Sequence, residues 1–152
     1  MDQSRKTKEG ILWRVNNQTK KVSLGLNEGT AGIALCFIKA YELLGNEVYR
    51  QTAERALMPY DRHFITENLT LTGGVTGLGM VYLEAKRVLK DKEWVERADF
   101  IINSLLHSAR KADSYQYWVV DGGITQTADL MTGNSGILHL LLNYDSPENV
   151  LF

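Results

Sequence analysis

Apolar residues recur at helical spacing in four long runs and one short one. After Gly32, the run IALCFIKAYELLG places Ile33, Phe37, Tyr41 and Leu44 three or four residues apart, the period of one helix face. Gly45 supplies a stop for that helix. The run NEVYRQTAERALMPYDRHF carries Val48, Thr52, Ala53, Ala56, Leu57 and Tyr60, with Asn46 placed to cap it and Pro59 limiting its far end. LGMVYLEAKRVLK carries Leu78, Val81, Tyr82, Ala85 and Leu89, and DKEWVERADFIINSLLHSARK carries Trp94, Val95, Ala98, Ile101, Ile102, Leu105 and Leu106. The short run is ILHLLLNY, after which DSPENVLF closes the chain. Two β-prone stretches interrupt the helices, ILWRV at residues 11–15 and YQYWVVDGG from Tyr115, and the turn Asp121-Gly122-Gly123 ends the second. They are expected to pair with each other as a small ribbon over one end of the helices.

Three of the helical runs are introduced by one pattern, Leu-x-x-Gly-x-small-Gly-aliphatic. It reads LNEGTAGI (Leu26 to Ile33), LTGGVTGL (Leu71 to Leu78) and LMTGNSGI (Leu130 to Ile137). The glycine pairs Gly29/Gly32, Gly74/Gly77 and Gly133/Gly136 mark three helix entrances, with room between successive pairs for two helices and their connections. The unit is a helical hairpin and the chain an array of about two and a half of them. Glycine at such an entrance serves close packing and positive φ in any helical array, so these six are structural glycines whatever else they do.

Composition narrows the class. The chain of 152 residues is 44% hydrophobic with a formal net charge of −1, enough to bury the core of one domain and too neutral for a nucleic-acid partner. A single cysteine, Cys36, excludes an internal disulfide, and its place beside Phe37 and Ile38 predicts core packing. No apolar run reaches the ~18 residues of a membrane span, and no signal peptide is present, so a cytoplasmic location is the default. Residues 1–10, MDQSRKTKEG, are polar and basic and read as a frayed, flexible tail. Asn17-Gln18-Thr19 and Asn68-Leu69-Thr70 match glycosylation acceptors by chance.

The order of the three motifs, the helices between them and the Pro-containing tail ending in Val-Leu-Phe resemble the C-terminal part of lanthionine synthetase C-like proteins, over about residues 24–152. The resemblance implies an all-α fold, a partial α/α toroid of about five helices plus the small β ribbon, with residues 11–152 forming the C-terminal part of such a domain. It implies inner helices that point their N-termini into a central cavity, and an activity that closes thioether rings by adding cysteine thiols to dehydrated Ser/Thr of a precursor peptide. In zinc-dependent members the ligands fall at the positions of Asn27, Thr72 and Gly73 here, none of which supplies a thiolate or imidazole. His63, His107 and His139 lie in three separate elements and do not replace them. No cofactor is therefore expected. The implied partners are a precursor peptide and the remainder of a synthetase carrying kinase-like and lyase domains.

Ring closure needs a stabilised thiolate and then a stabilised, protonated enolate. Converging helix N-termini offer positive partial charge and backbone N–H groups for both. Asn27, Glu28, Thr72, Thr132 and Asn134 occupy the turns that would rim the cavity, where they contact a peptide or cap the helices. No catalytic residue is assigned. Asp61-Arg62-His63 reads as a charged helix end, with a proton shuttle as the sharper alternative. Two other functions stay open: a non-catalytic peptide-binding or scaffolding domain of the same fold, and a carbohydrate-active α/α toroid. The latter needs a pair of cavity carboxylates, and Glu28 is the only acid in the three motifs. An array of two and a half hairpins also leaves apolar faces at its ends, those carrying Phe37 and Leu140, from which self-association or marginal stability is expected.

Overall fold

A computed structural model describes residues 4–6, 10–16, 18, 21–120 and 126–145. It contains five α-helices, α1 (Thr30–Leu44), α2 (Glu47–Leu57), α3 (Val75–Leu89), α4 (Lys92–Ser108) and α5 (Asn134–Asp145). Helix α1 packs on α2 and α3 on α4, which are the two hairpins, while α1 packs on α3 and α3 on α5. The chain thus forms an inner row α1–α3–α5 with α2 and α4 outside it. None of these helices is long and apolar enough to cross a membrane.

Local signals fix the helix ends. Gly45 adopts φ 66° and its N–H donates to the Tyr41 carbonyl at 2.8 Å, closing α1 in the left-handed conformation that glycine tolerates best. The Asn46 side chain accepts from Val48 N at 2.9 Å and caps α2, which stops two residues before Pro59. Asp91 caps α4 in the same way, through Glu93 N at 2.9 Å.

Helix α3 is the centre of the core and is buried continuously from Val75 to Ala85. Its apolar face is the one the periodicity predicts, with Leu78, Val81, Tyr82, Ala85 and Leu89 all buried. Helix α1 differs from its reading. The buried residues are Thr30, Ala31, Ala34 and Ile38, whereas Ile33, Phe37 and Tyr41 are half-buried and Leu44 is exposed. The run is apolar nearly all round, so spacing alone does not choose a face, and the small side chains Ala31 and Ala34 belong to the buried one. Val48 and Leu106, also assigned to core faces, are exposed near helix ends, while Thr52 and Val95 are half-buried. Cys36, expected in the core, is exposed as well.

Polar groups tie the row together. The buried carboxylate of Glu84 on α3 is held by Lys39 of α1 and by Arg87 Nε at 2.7 Å, and Arg87 reaches on to Glu42 of α1 at 2.6 Å. The buried guanidinium of Arg97 donates to the Tyr60 carbonyl at 2.8 Å and to Glu93 at 2.7 Å, linking α4 to the chain leaving α2.

The strands do not pair as expected. Instead of one ribbon from residues 11–15 and 115–120 there are two separate antiparallel hairpins, β1 (Ser4–Lys6) with β2 (Ile11–Trp13), and β3 (Arg110–Lys111) with β4 (Gln116–Tyr117). Each strand takes its nearest antiparallel neighbour in sequence, the lowest-entropy closure. Ser4–Lys6, inside the segment whose composition predicts fraying, is thereby a strand. The predicted turn at Asp121–Gly123 lies outside the described residues. Beyond β4, Trp118 and Val120 enter the core, and the Trp118 indole N–H donates to the Leu105 carbonyl at 2.7 Å.

Candidate functional site: a row of three glycine-paired turns

Each motif builds the same turn. The residue after the first glycine donates its N–H to the carbonyl seven residues upstream: Thr30 to Ser23 at 3.0 Å, Val75 to Asn68 at 3.0 Å, Asn134 to Thr127 at 2.8 Å. A hydroxyl near each helix start repeats the bond, as Thr30 does to Ser23 and Thr76 to Leu69, and as Ser135 does to Ala128. The six motif glycines sit where the chain crosses itself. A Cβ at Gly77 or Gly136 would lie under 3.0 Å from the carbonyl oxygen of the motif's own leucine, Leu71 or Leu130. Close approach is thus the reason for glycine. Positive φ is not, since Gly29 and Gly74 have φ −146° and −105°, and among the described residues only Gly45 and Lys90 have positive φ.

The turns are joined edge to edge. Asn27 N donates to the Thr72 carbonyl at 3.0 Å, and Leu71 N and Thr72 N both donate to the Met131 carbonyl at 3.1 Å. Asn27, Thr72 and Met131 hold the same motif position, so one backbone ladder runs through all three repeats. Packing follows the ladder, with Leu26 Cβ over Gly77 and Leu71 Cβ over Gly136. Sequence reading missed the part played by Met131. The repeat itself was the available signal, because equivalent positions in stacked repeats make equivalent contacts.

This ladder brings the N-termini of α1, α3 and α5 side by side. The N-cap glycines of α1 and α3 provide no side-chain cap, and the first turns of α1, α3 and α5 contain no acid. The positive helix ends are therefore not neutralised within the helices. The supply of free donors is smaller than expected, because the first N–H of each helix is committed to its own loop.

The rim residues divide into two groups. Asn27 and Glu28 are exposed, and they border a groove of about 660 Å³ whose lining includes Trp13, Arg14, Gly32 and Cys36. Thr72 is half-buried, its hydroxyl 3.3 Å from that of Thr70. Thr132 and Asn134 are occupied in building the third turn. The Thr132 N–H and hydroxyl bind Asp129 at 2.7 and 3.0 Å, holding the Asp129 carboxyl below its ordinary range. Asn134 accepts from Trp118 N at 2.7 Å and donates to the Trp118 carbonyl at 2.9 Å, pinning the segment after β4 to the start of α5. A second cavity, about 380 Å³ and mostly apolar, lies between α4 and the 64–69 segment, with Phe64, Val75, Ile101 and Arg110 in its wall.

The positions matching the family's zinc ligands are adjacent in space, Asn27 bonding to Thr72 and Gly25 lying against Gly73. An amide, a hydroxyl and a glycine do not fit a catalytic zinc ion, and among the described residues no three His, Cys, Asp or Glu come together. The histidines are dispersed. His63 is exposed and edge-on to Phe100, His107 lies in the last turn of α4 against the Asn103 carbonyl, and His139 Nε2 is 3.1 Å from the Asn143 amide. Asp61 accepts from the backbone of His63 at 3.0 Å, and Arg62 pairs with Glu93, so the Asp61–His63 triplet is a charged surface turn. Among the described residues that line the groove, Glu28 is the one carboxylate.

The family model described as lanthionine synthetase C-like protein matches residues 20–152. No curated protein matches the chain.

Proposed function

Since the chain belongs to the lanthionine synthetase C-like family, we propose that it forms the C-terminal portion of a zinc-less cyclase-like domain of a lanthipeptide synthetase. In this reading a dehydrated precursor peptide lies along the row of turns, and the domain assists addition of its cysteine thiols to dehydrated Ser/Thr. The observation that carries the reading is the alignment of three helix N-termini with glycine-built entrances and no first-turn acid. Thiolate addition to a dehydroalanine or dehydrobutyrine forms a C–S bond and an enolate, which takes up a proton. Both anions are favoured beside positive helix ends. Asn27, Glu28 and Thr72 would meet the peptide, while Thr132 and Asn134 hold the third turn in place. The described residues do not fit zinc, and no step is assigned to a metal.

A partial toroid, with α1, α3 and α5 as inner helices and further repeats completing the ring, is the architecture this reading requires. The non-catalytic alternative of peptide binding or scaffolding gains support from the commitment of the leading N–H groups. Thiol counting separates the two. A dehydrated, cysteine-containing precursor peptide is incubated with the chain, alkylated and weighed. The cyclase reading expects free thiols to disappear faster than in a chain-free control. Binding with no change in thiol loss assigns the scaffold role, and the absence of both overturns the proposal.

A further inference from the structure

Behind the second turn lies the cavity between α4 and the 64–69 segment. It holds about 380 Å³, within the range of pockets that enclose a small ligand. Its described wall residues run from Phe64 to Val119, so it sits inside the array, between elements that precede and follow α3. Phe64, Leu69, Val75, Ile101 and Leu105 make the wall apolar. Ile65, also in the wall, is 68% exposed, so the apolar surface continues to the outside.

The polar groups of the wall are of two kinds. The Ser104 and Ser108 hydroxyls donate to the Phe100 and Leu105 carbonyls at 2.8 and 3.0 Å, and the Thr66 hydroxyl accepts from Asn68 N at 3.3 Å. These three are answered within their own segments. Two charges are not. Among the described residues the side chains of Arg110 and Glu67 make no hydrogen bond and no ion pair, with each other or with any other group. The guanidinium stands on a fixed support: Arg110 pairs with Tyr117 across β3 and β4, the Trp118 indole is tied to the Leu105 carbonyl, and Asn134 holds the Trp118 backbone. An apolar cavity that presents a cation and an anion separately fits an occupant with an apolar body and one charge of each sign.

The second turn belongs to the same wall. Val75 opens α3 and gives its N–H to the Asn68 carbonyl, and the Leu69 carbonyl accepts from the Thr76 hydroxyl. We propose that the cavity anchors a large apolar side chain of the peptide held on the row of turns, flanked in that peptide by an acidic residue for Arg110 and a basic residue for Glu67. The choice of a peptide over a free apolar amino acid, which carries the same chemistry, rests on the peptide reading of the row. Burial of the side chain supplies the hold, and the two charges set the direction in which the peptide lies.

Two labelled peptides that differ only in charge order test it, Ala-Asp-Phe-Lys-Ala and Ala-Lys-Phe-Asp-Ala, blocked at both ends, with fluorescence anisotropy read at low ionic strength. The wild-type chain is expected to prefer one order by about tenfold, and to lose both peptides when alanine replaces their phenylalanine. Arg110→Glu and Glu67→Lys, at exposed positions, should each remove the preference, and the double variant should reverse it. Binding of neither order, equal binding of both, or a preference that the double variant keeps overturns the proposal. Displacement by free phenylalanine at the peptide's own binding concentration overturns it too, and assigns the cavity to an amino acid. Thiol loss from the dehydrated precursor is followed in parallel. An absent order preference with thiol loss intact removes the anchor and leaves the cyclase reading standing, whereas a preference that reverses as expected without any thiol loss supports the anchor and removes the cyclase step alone.

Discussion

The outer and inner helices begin in opposite ways. Helices α2 and α4 open on a polar cap and an acid in the first turn, Asn46 with Glu47 and Asp91 with Glu93. Each of these entrances is satisfied by its own few residues. Helices α1 and α3 open on glycine without a side-chain cap, and like α5 they have no acid in the first turn. Their leading N–H groups are answered by loop carbonyls seven residues upstream, and their turns are held by neighbouring turns. The outer entrances are therefore stabilised locally and the inner ones by tertiary contact.

Substitutions sharpen this contrast. Gly77→Val should have the largest effect, about 3 kcal/mol, because the new side chain meets the Leu71 carbonyl and Leu26, and a backbone carbonyl in a double-sided turn has little room to give. Denaturant unfolding checks it, and a loss below about 1 kcal/mol would mean that the turns are not held by close approach. Asn46→Ala and Asp91→Ala, at the outer entrances, should each cost about 1 kcal/mol, the ordinary worth of a cap. Their effects should add, since they cap different helices, and they should leave peptide binding unchanged.

The smallest effect concerns acid. The hydrogen bond from Arg87 lowers the Glu42 carboxyl below its ordinary value, and the Arg87 and Lys39 charges act the same way. A carboxyl depressed in the folded state contributes stability above the unfolded value of about 4.3. That contribution fades as pH falls through the lower folded value. Glu42→Gln should thus lower the thermal midpoint slightly at neutral pH, and the gap from wild type should close as pH falls below the ordinary carboxylate range. A gap that is constant with pH would show that the Arg87 contact does not act through charge.

How much of this was legible in the sequence follows the same division. Asn46, Gly45 and the five helices could be read directly, because caps, stops and period are local. The glycine pairs also located the inner entrances. Local reading failed where tertiary contact decides: the buried face of α1, the pairing of the strands, and the exposure of Cys36. Glu84 gave no signal at all, since its burial depends on Arg87 reaching it from one turn away and Lys39 from a second helix. The motifs also located the turns that carry Asn27, Glu28, Thr72, Thr132 and Asn134. Their division into exposed Asn27 and Glu28 and occupied Thr132 and Asn134 depends on Asp129 and Trp118, whose positions only the fold determines.

The central claim, that the inner entrances form the peptide site and the outer ones do not, is tested most directly by hydrogen exchange with and without dehydrated precursor peptide at equal chain concentration. Slower exchange is expected across residues 26–33, 71–78 and 130–137, with no change at residues 46–52 or 91–97. Protection confined to the outer entrances, or absent from all three turns at saturating peptide, would contradict it.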